Sequence, residues 1–206
     1  MEQRTAEWFQ ARLGKVTASN IDTIISKVRS GESSYKRKYR MQLVTERLTG
    51  RVVPVFVNAA MQHGVDYEDE ARNLYIERFK LLKDVDVKEE GLVDHPRIPM
   101  SAASPDGLVG DDGLIEIKCP QPLTHTETLM SHNIDQKYIH QMQWQLACTE
   151  RQWCDFVSYH PEFPDEHKLF VKRVERDDEL IARLEVEVEK FLIEVADAIK
   201  FINEEK

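Results

Sequence analysis

The chain has 206 residues, 41% of them hydrophobic and 32% charged, which is the make-up of a globular protein large enough for one full core. Its formal net charge is −9, so it is not the uniformly basic protein expected of a sequence-independent nucleic-acid binder. That exclusion is mild, because an enclosed basic channel can coexist with an acidic exterior.

In chain order, residues 5–13 read as a short helix with Thr5 as cap and Gly14 just past its end. Thr17-Ala18-Ser19-Asn20 supplies cap chemistry for a second helix running to about Lys27. A polar loop, 30–34, precedes a basic helix at 35–49 that stops at Gly50. Tyr67, Ala71, Leu74, Tyr75 and Arg78 recur at helical spacing within 64–80. Strand-like segments follow at 85–93, 99–104, 106–109, 113–119, 154–159 and 168–174, with a helix at 135–149 between them. The end, 177–203, is a long helix with Leu180, Leu184, Val188, Phe191, Val195 and Ile199 on one stripe. Neither repeats nor linkers break the pattern, so one domain is expected over 1–206. The order of elements predicts an α/β fold with a sheet flanked by helices.

No apolar run approaches the roughly 20 residues of a membrane span, and the start, Met-Glu-Gln-Arg, has no apolar signal region. Cys119, Cys148 and Cys154 lack the number and spacing of a disulfide framework or a metal cluster. These features point to a reducing cytoplasm and no membrane partner.

Chemistry concentrates in Ser104-Pro105-Asp106-Gly107 and in Gly113-Leu114-Ile115-Glu116-Ile117-Lys118-Cys119-Pro120. Gly110-Asp111-Asp112-Gly113 is a tight-turn signature between two short strands. Folding about it puts Asp106 opposite Ile117, give or take one position, with the Asp106 and Glu116 Cβ atoms about 5 to 8 Å apart. Carboxylates that close repel unless a cation separates them, and Mg²⁺ prefers such oxygen ligands. Alternation puts Glu116 and Lys118 on one face and Ile115 and Ile117 on the other. An ammonium there can hold or deprotonate an attacking water and offset phosphorane charge. The bland alternative is a hairpin with a solvated polar face.

At these residues the chain resembles the PD-(D/E)xK nuclease superfamily, and within it the phage lambda exonuclease and YqaJ-like viral recombinase family. The resemblance runs from Glu7-Trp8 through Arg12-Leu13-Gly14, Thr17-Ala18-Ser19, Arg29-Ser30-Gly31, Gly64 to Tyr67-Glu68, Ala71-Arg72, Ser104–Gly107 and Glu116–Pro120 to Tyr138, Gln141 and Gln143. It implies a central mixed β-sheet flanked by helices, with a restriction-endonuclease-like core. It also implies a processive 5′-to-3′ exonuclease that digests one strand of linear duplex DNA, for recombination beside a single-strand annealing protein. A homotrimer ring threaded by DNA, two Mg²⁺ ions with Mn²⁺ able to substitute, and phage origin in a bacterial cytoplasm belong to the same implication.

By the resemblance, Asp106, Glu116, the Ile117 carbonyl and Glu68 bind the ions, Lys118 assists the water, and Gln141 acts near the nucleophile or scissile phosphate. Glu68 otherwise reads as a salt-bridge partner of Arg72, four residues on, and geometry alone does not choose it over Glu70. Arg12, Ser19 and Ser104 match a pocket for the terminal 5′-phosphate. Ser19 at a helix start adds an independent reason, the alternative being that it simply caps that helix. Arg29, Met61, Tyr138 and Gln143 match DNA-contacting positions, with Met61 as a wedge at the duplex end or simply a core methionine. The basic run Lys36-Arg37-Lys38 with Arg40 is a candidate backbone contact or a solvated face. Two other readings stay open, a different nuclease of the superfamily and a non-catalytic DNA-end-binding module.

Overall fold

The computed structural model describes residues 2–26, 31–54, 58–80 and 86–205. Seven α-helices among them are α1 (Ala6–Arg12), α2 (Ile21–Ile25), α3 (Ser34–Thr49), α4 (Ala59–Lys80), α5 (Pro122–Ser131), α6 (Gln136–Thr149) and α7 (Asp178–Glu204). The strands are β1 (Val16–Thr17), β2 (Val87–Lys88), β3 (Val93–Asp94), β4 (Ser101–Ala103), β5 (Gly107–Val109), β6 (Gly113–Lys118), β7 (Trp153–Tyr159) and β8 (Leu169–Glu175). They form two mixed sheets, a small one ordered β1-β4-β3 and a larger one ordered β2-β5-β6-β7-β8. The β6–β7 and β1–β4 pairs are parallel and the rest antiparallel.

Alternation along β6 assigns each face of the larger sheet its cover. Ile115 and Ile117, with Val157 and Tyr159, meet Ala71 and Tyr75 of α4. Leu114, with Cys154 and Phe156, meets Met142 and Leu146 of α6 and Ile181 of α7. A third cluster ties the small sheet to the helices, joining Val16, Ile21, Tyr39 and Leu43 to the α7 stripe of Leu184, Val188, Phe191 and Val195. Each such side chain withdrawn from water contributes about 1.5–3 kcal/mol.

α4 is also held by a buried polar lock. Asp155 of β7 accepts from the Tyr75 hydroxyl at 2.8 Å and from both Arg173 Nε and Nη2, at 2.8 and 3.0 Å. A buried carboxylate needs such partners. The hairpin turn rests on Gly110, with φ +52°, and on Gly113, where a Cβ would come within 2.1 Å of the Trp153 ring.

Three expectations change. The second helix is split, with a 3₁₀ turn at Ala18–Asn20 followed by the five-residue α2. The segment read as one strand at 85–93 contributes β2 to one sheet and, at its end, β3 to the other. α5, which follows Pro120, starts at Pro122 and buries only His125, is an additional helix that the sequence patterns do not predict. The three cysteines are free and buried, and no described helix is long and apolar enough to cross a membrane.

Candidate active site

β5 pairs with β6 in the register Gly107↔Ile115, so the next residue outward, Asp106, stands opposite Glu116. This lies one position from the Ile117 pairing expected, because Val109 already pairs with Gly113 and the connecting turn is the three residues 110–112. The Ile117 N–H donates to Asp106 Oδ2 at 2.7 Å, and Arg72 of α4 donates from Nε to the Asp106 carbonyl at 3.1 Å. Burial pushes the Asp106 carboxyl well above the usual carboxylate range, and repulsion from Glu116 and Glu68 adds to it.

Glu116 is 1% exposed and surrounded by donors. Its Oε1 accepts from the Lys118 ammonium and from Gln141 Nε2, the latter at 2.6 Å. Its Oε2 accepts from Gln145 Nε2 at 2.5 Å. Gln141 and Gln145 lie one helical turn apart on the face of α6 that covers β6. Lys118 Nζ also sits 5.2 Å from the centre of the Tyr138 ring. Burial works to lower the Lys118 pKa, but attraction from Glu116 and Asp106 outweighs it and raises the pKa. The two carboxylates therefore favour the charged form of Lys118.

This donor set suits a hard divalent ion. Two opposed carboxylates that repel each other gain from a cation between them. Glu68 is engaged elsewhere, with Arg4 and, at 3.1 Å, with Arg72. The i, i+4 salt bridge considered as its alternative role is thus present. Among the described residues, no three of His, Cys, Asp and Glu converge into a ready metal cage. Asp106 and Glu116 are thus the two carboxylates that face each other across the hairpin, while Glu68 is held by its arginines.

The second group of candidates is organised by Trp8, whose part the sequence did not reveal. Its indole N–H is shared between Ser104 Oγ at 3.0 Å and the Gly91 carbonyl at 3.2 Å. The Arg12 guanidinium lies 4.0 Å from the centre of the same ring and reaches Thr17 Oγ1 at 3.4 Å. Asn20 bridges Thr17 to the exposed Ser19. Burial lowers the Arg12 pKa, with Tyr39 and Glu46 opposing it. Among the described residues no carboxylate pairs with Arg12. The helix-start argument for Ser19 weakens, since Ser19 sits in a 3₁₀ turn ahead of a very short helix.

The DNA-contact candidates divide. Tyr138 stacks on Phe156 beside Lys118. Met61 is 46% exposed at the start of α4, so it is not a core methionine. Gln143 must be corrected. It is buried, donates to the Glu175 carbonyl at 2.8 Å and accepts from the Asp177 N–H at 2.9 Å, so its side chain is spent joining β8 to the start of α7. Lys36 and Arg40 pair with Glu194, and Arg40 also with Glu32. Arg29 lies outside the described residues.

A mixed sheet flanked by helices, with an acid–acid–lysine hairpin at its centre, defines a nuclease fold of the PD-(D/E)xK type. The comparisons agree. Residues 7–152 match the model of the YqaJ-like viral recombinase domain. The chain is similar to an alkaline exonuclease from Laribacter hongkongensis, at 48% identity over 98% of this chain and 97% of that one, with a TM-score of 0.89. The same enzyme in complex with dAMP matches equally well. A phage-related exonuclease from Haemophilus somnus 129PT shares the fold at 15% identity and a TM-score of 0.72, over 91% of this chain and 96% of that one. An uncharacterized protein of Acanthamoeba polyphaga mimivirus is 29% identical over 83% of this chain and 31% of its own length, so the chain spans about a third of that relative. The chain belongs to the YqaJ-like viral recombinase family.

Proposed function

We propose that this chain is a Mg²⁺-dependent 5′-to-3′ exonuclease that digests one strand of linear duplex DNA and leaves 3′ single-stranded tails. One observation carries the reading: Asp106 is held by the Ile117 N–H opposite Glu116, which Lys118 pairs with, in a chain 48% identical to an alkaline exonuclease over 98% of its length. Asp106, Glu116, the Ile117 carbonyl and Glu68 would hold two Mg²⁺ ions, with Mn²⁺ as a substitute. Bound ions of this kind lower the pKa of water and offset phosphoryl charge. Gln141, which donates to Glu116, would hydrogen-bond near the nucleophile or the scissile phosphate. Lys118 holds its proton and donates to the attacking water or to a phosphate oxygen. Tyr138 and Met61 contact the duplex end. A processive homotrimer ring around DNA, an annealing-protein partner and a phage-encoded role in the host cytoplasm complete the proposal on family grounds.

The test is digestion of a linear duplex beside a covalently closed circle, with Mg²⁺ and with chelator. Loss of the linear species alone, and only with metal, is the result expected. Cleavage of the circle would indicate an endonuclease, and end binding without cleavage would indicate a non-catalytic module.

Arg12, Ser19 and Ser104 would hold the 5′-phosphate, since a half-buried guanidinium with no carboxylate paired to it among the described residues favours an anion. A charge-assisted contact of this kind contributes about 1.5–3 kcal/mol. Wild type should therefore digest 5′-phosphoryl ends about ten- to a hundredfold faster than 5′-hydroxyl ends. Arg12→Ala should erase most of that preference by slowing only the phosphorylated substrate, and residual cleavage should keep its Mg²⁺ dependence. A time course on the two matched duplexes decides. Equal slowing of both would assign Arg12 to general binding or folding.

A further inference from the structure

Gln145 is fully buried on α6, one turn beyond Gln141, and its place in the sequence suggests no role for it. Its Nε2 donates to Glu116 Oε2 at 2.5 Å and, more distantly, to the Ser104 carbonyl at 3.4 Å. Both neighbours are acceptors, so the amide can present only its NH₂ end to them. Its Oε1 is buried without a partner among the described residues. Leaving a buried amide oxygen unpaired is costly, so this orientation is held by the demand for a donor at Glu116. The other oxygen of Glu116 is already taken by Lys118 and Gln141. Gln145 alone steadies Oε2 among the described residues. Through Ser104, whose hydroxyl accepts from Trp8, it also touches the strand end that carries the Arg12 pocket.

We infer that Gln145 is a positioning residue for the nuclease reaction, holding the Glu116 carboxylate in the one rotation that serves metal and water together. The inference rests on the reading of Asp106 and Glu116 as metal ligands. Partners that orient a ligand in this way typically affect metal affinity or activity ten- to a hundredfold when removed. Gln145→Met keeps the length and suits a buried site but has no donor. It should lower kcat by about ten- to a hundredfold and leave the KM for duplex ends within about threefold. Mn²⁺ binding to the protein without DNA, followed by calorimetry, should weaken by about tenfold. Thermal melting should show the fold intact.

Gln145→Asn keeps an amide in the pocket yet falls one methylene short of Glu116. It should move kcat and Mn²⁺ affinity in the same direction, and it serves if the Met variant does not fold. Wild-type kcat and Mn²⁺ affinity in either folded variant would overturn the inference, as would a raised KM with unchanged kcat. These outcomes are separable from failure of the nuclease reading. If wild type digests linear duplex and Asp106→Asn does not, that reading stands whatever Gln145 does. If wild type neither cleaves nor binds Mn²⁺, both fall.

Discussion

Asp106→Asn should digest linear duplex at least about a thousandfold more slowly than wild type, because in the proposed mechanism it removes a ligand for the charge-stabilising ions, an effect worth several kcal/mol. The same substitution should leave the metal-free protein as stable as wild type or more so at about pH 8. Both expectations come from one arrangement. The amide of the variant would keep an oxygen for the Ile117 N–H, so the hydrogen bond that seats the side chain survives. What the variant loses is a carboxylate that burial destabilises and that Glu116 and Glu68 repel.

The sign of the pH dependence follows. A carboxyl raised in the folded state binds its proton more tightly there than in the unfolded chain. It costs nothing below the unfolded pKa of about 4, and its cost grows as pH rises through the raised folded value. The melting advantage of Asp106→Asn over wild type, measured in chelator, should therefore be present at about pH 8 and fade as pH falls toward about 4. Near-normal turnover in Mg²⁺ would remove Asp106 from the metal site. A variant less stable than wild type at the alkaline end would show that the carboxylate supports the fold rather than straining it.

The burial of mutually repelling acids is what made this part of the molecule legible in the sequence. Two acids and a lysine on the same face of a hairpin make poor structural sense, and the turn at 110–113 brings them together on paper. β6 alternation puts Glu116 and Lys118 on one face, and the helical spacing of Tyr138 and Gln141 puts Tyr138 beside Lys118 and Gln141 against Glu116. The α7 stripe, the basic helix α3 and the strands β6 to β8 also follow from periodicity.

What escaped the sequence depends on long-range contacts. Trp8 and Ser104 are 96 residues apart, and nothing local ties an indole N–H to a distant hydroxyl. Gln143 and Gln145 are chemically identical and two positions apart on one helix. Gln145 meets Glu116 and Gln143 meets the start of α7, which only the packing of α6 decides. α5 begins among Pro120 and Pro122 and leaves Leu123 and Met130 exposed, so it lacks the apolar stripe by which a helix is recognised. Glu68 was legible as a residue of interest but not as one bound to Arg4, since that contact spans 64 residues.

Lys118→Ala should lose about two to four orders of magnitude in kcat, yet bind Mn²⁺ at least as tightly as wild type. The ammonium pairs with Glu116 Oε1, the same oxygen that Gln141 contacts. In the proposed mechanism it thus competes with a cation for Glu116 while supplying the positive charge that meets developing negative charge on phosphate. Removing it frees the ligand and removes the charge, so affinity and rate should move in opposite directions. An interaction made chiefly in the transition state lowers kcat and kcat/KM together, so KM for duplex ends should change little. Lys118→Arg should restore little of the rate, because a planar guanidinium is bulkier than the ammonium that fits between Glu116 and the Tyr138 ring. Single-turnover cleavage and Mn²⁺ calorimetry on the same preparations test both halves. If Lys118→Ala loses metal affinity as completely as Asp106→Asn, Lys118 organises the metal site and the charge-donor role is wrong. If Lys118→Arg is as fast as wild type, positive charge alone suffices, and the compact donor geometry argued from Glu116 and Tyr138 has no part in the rate.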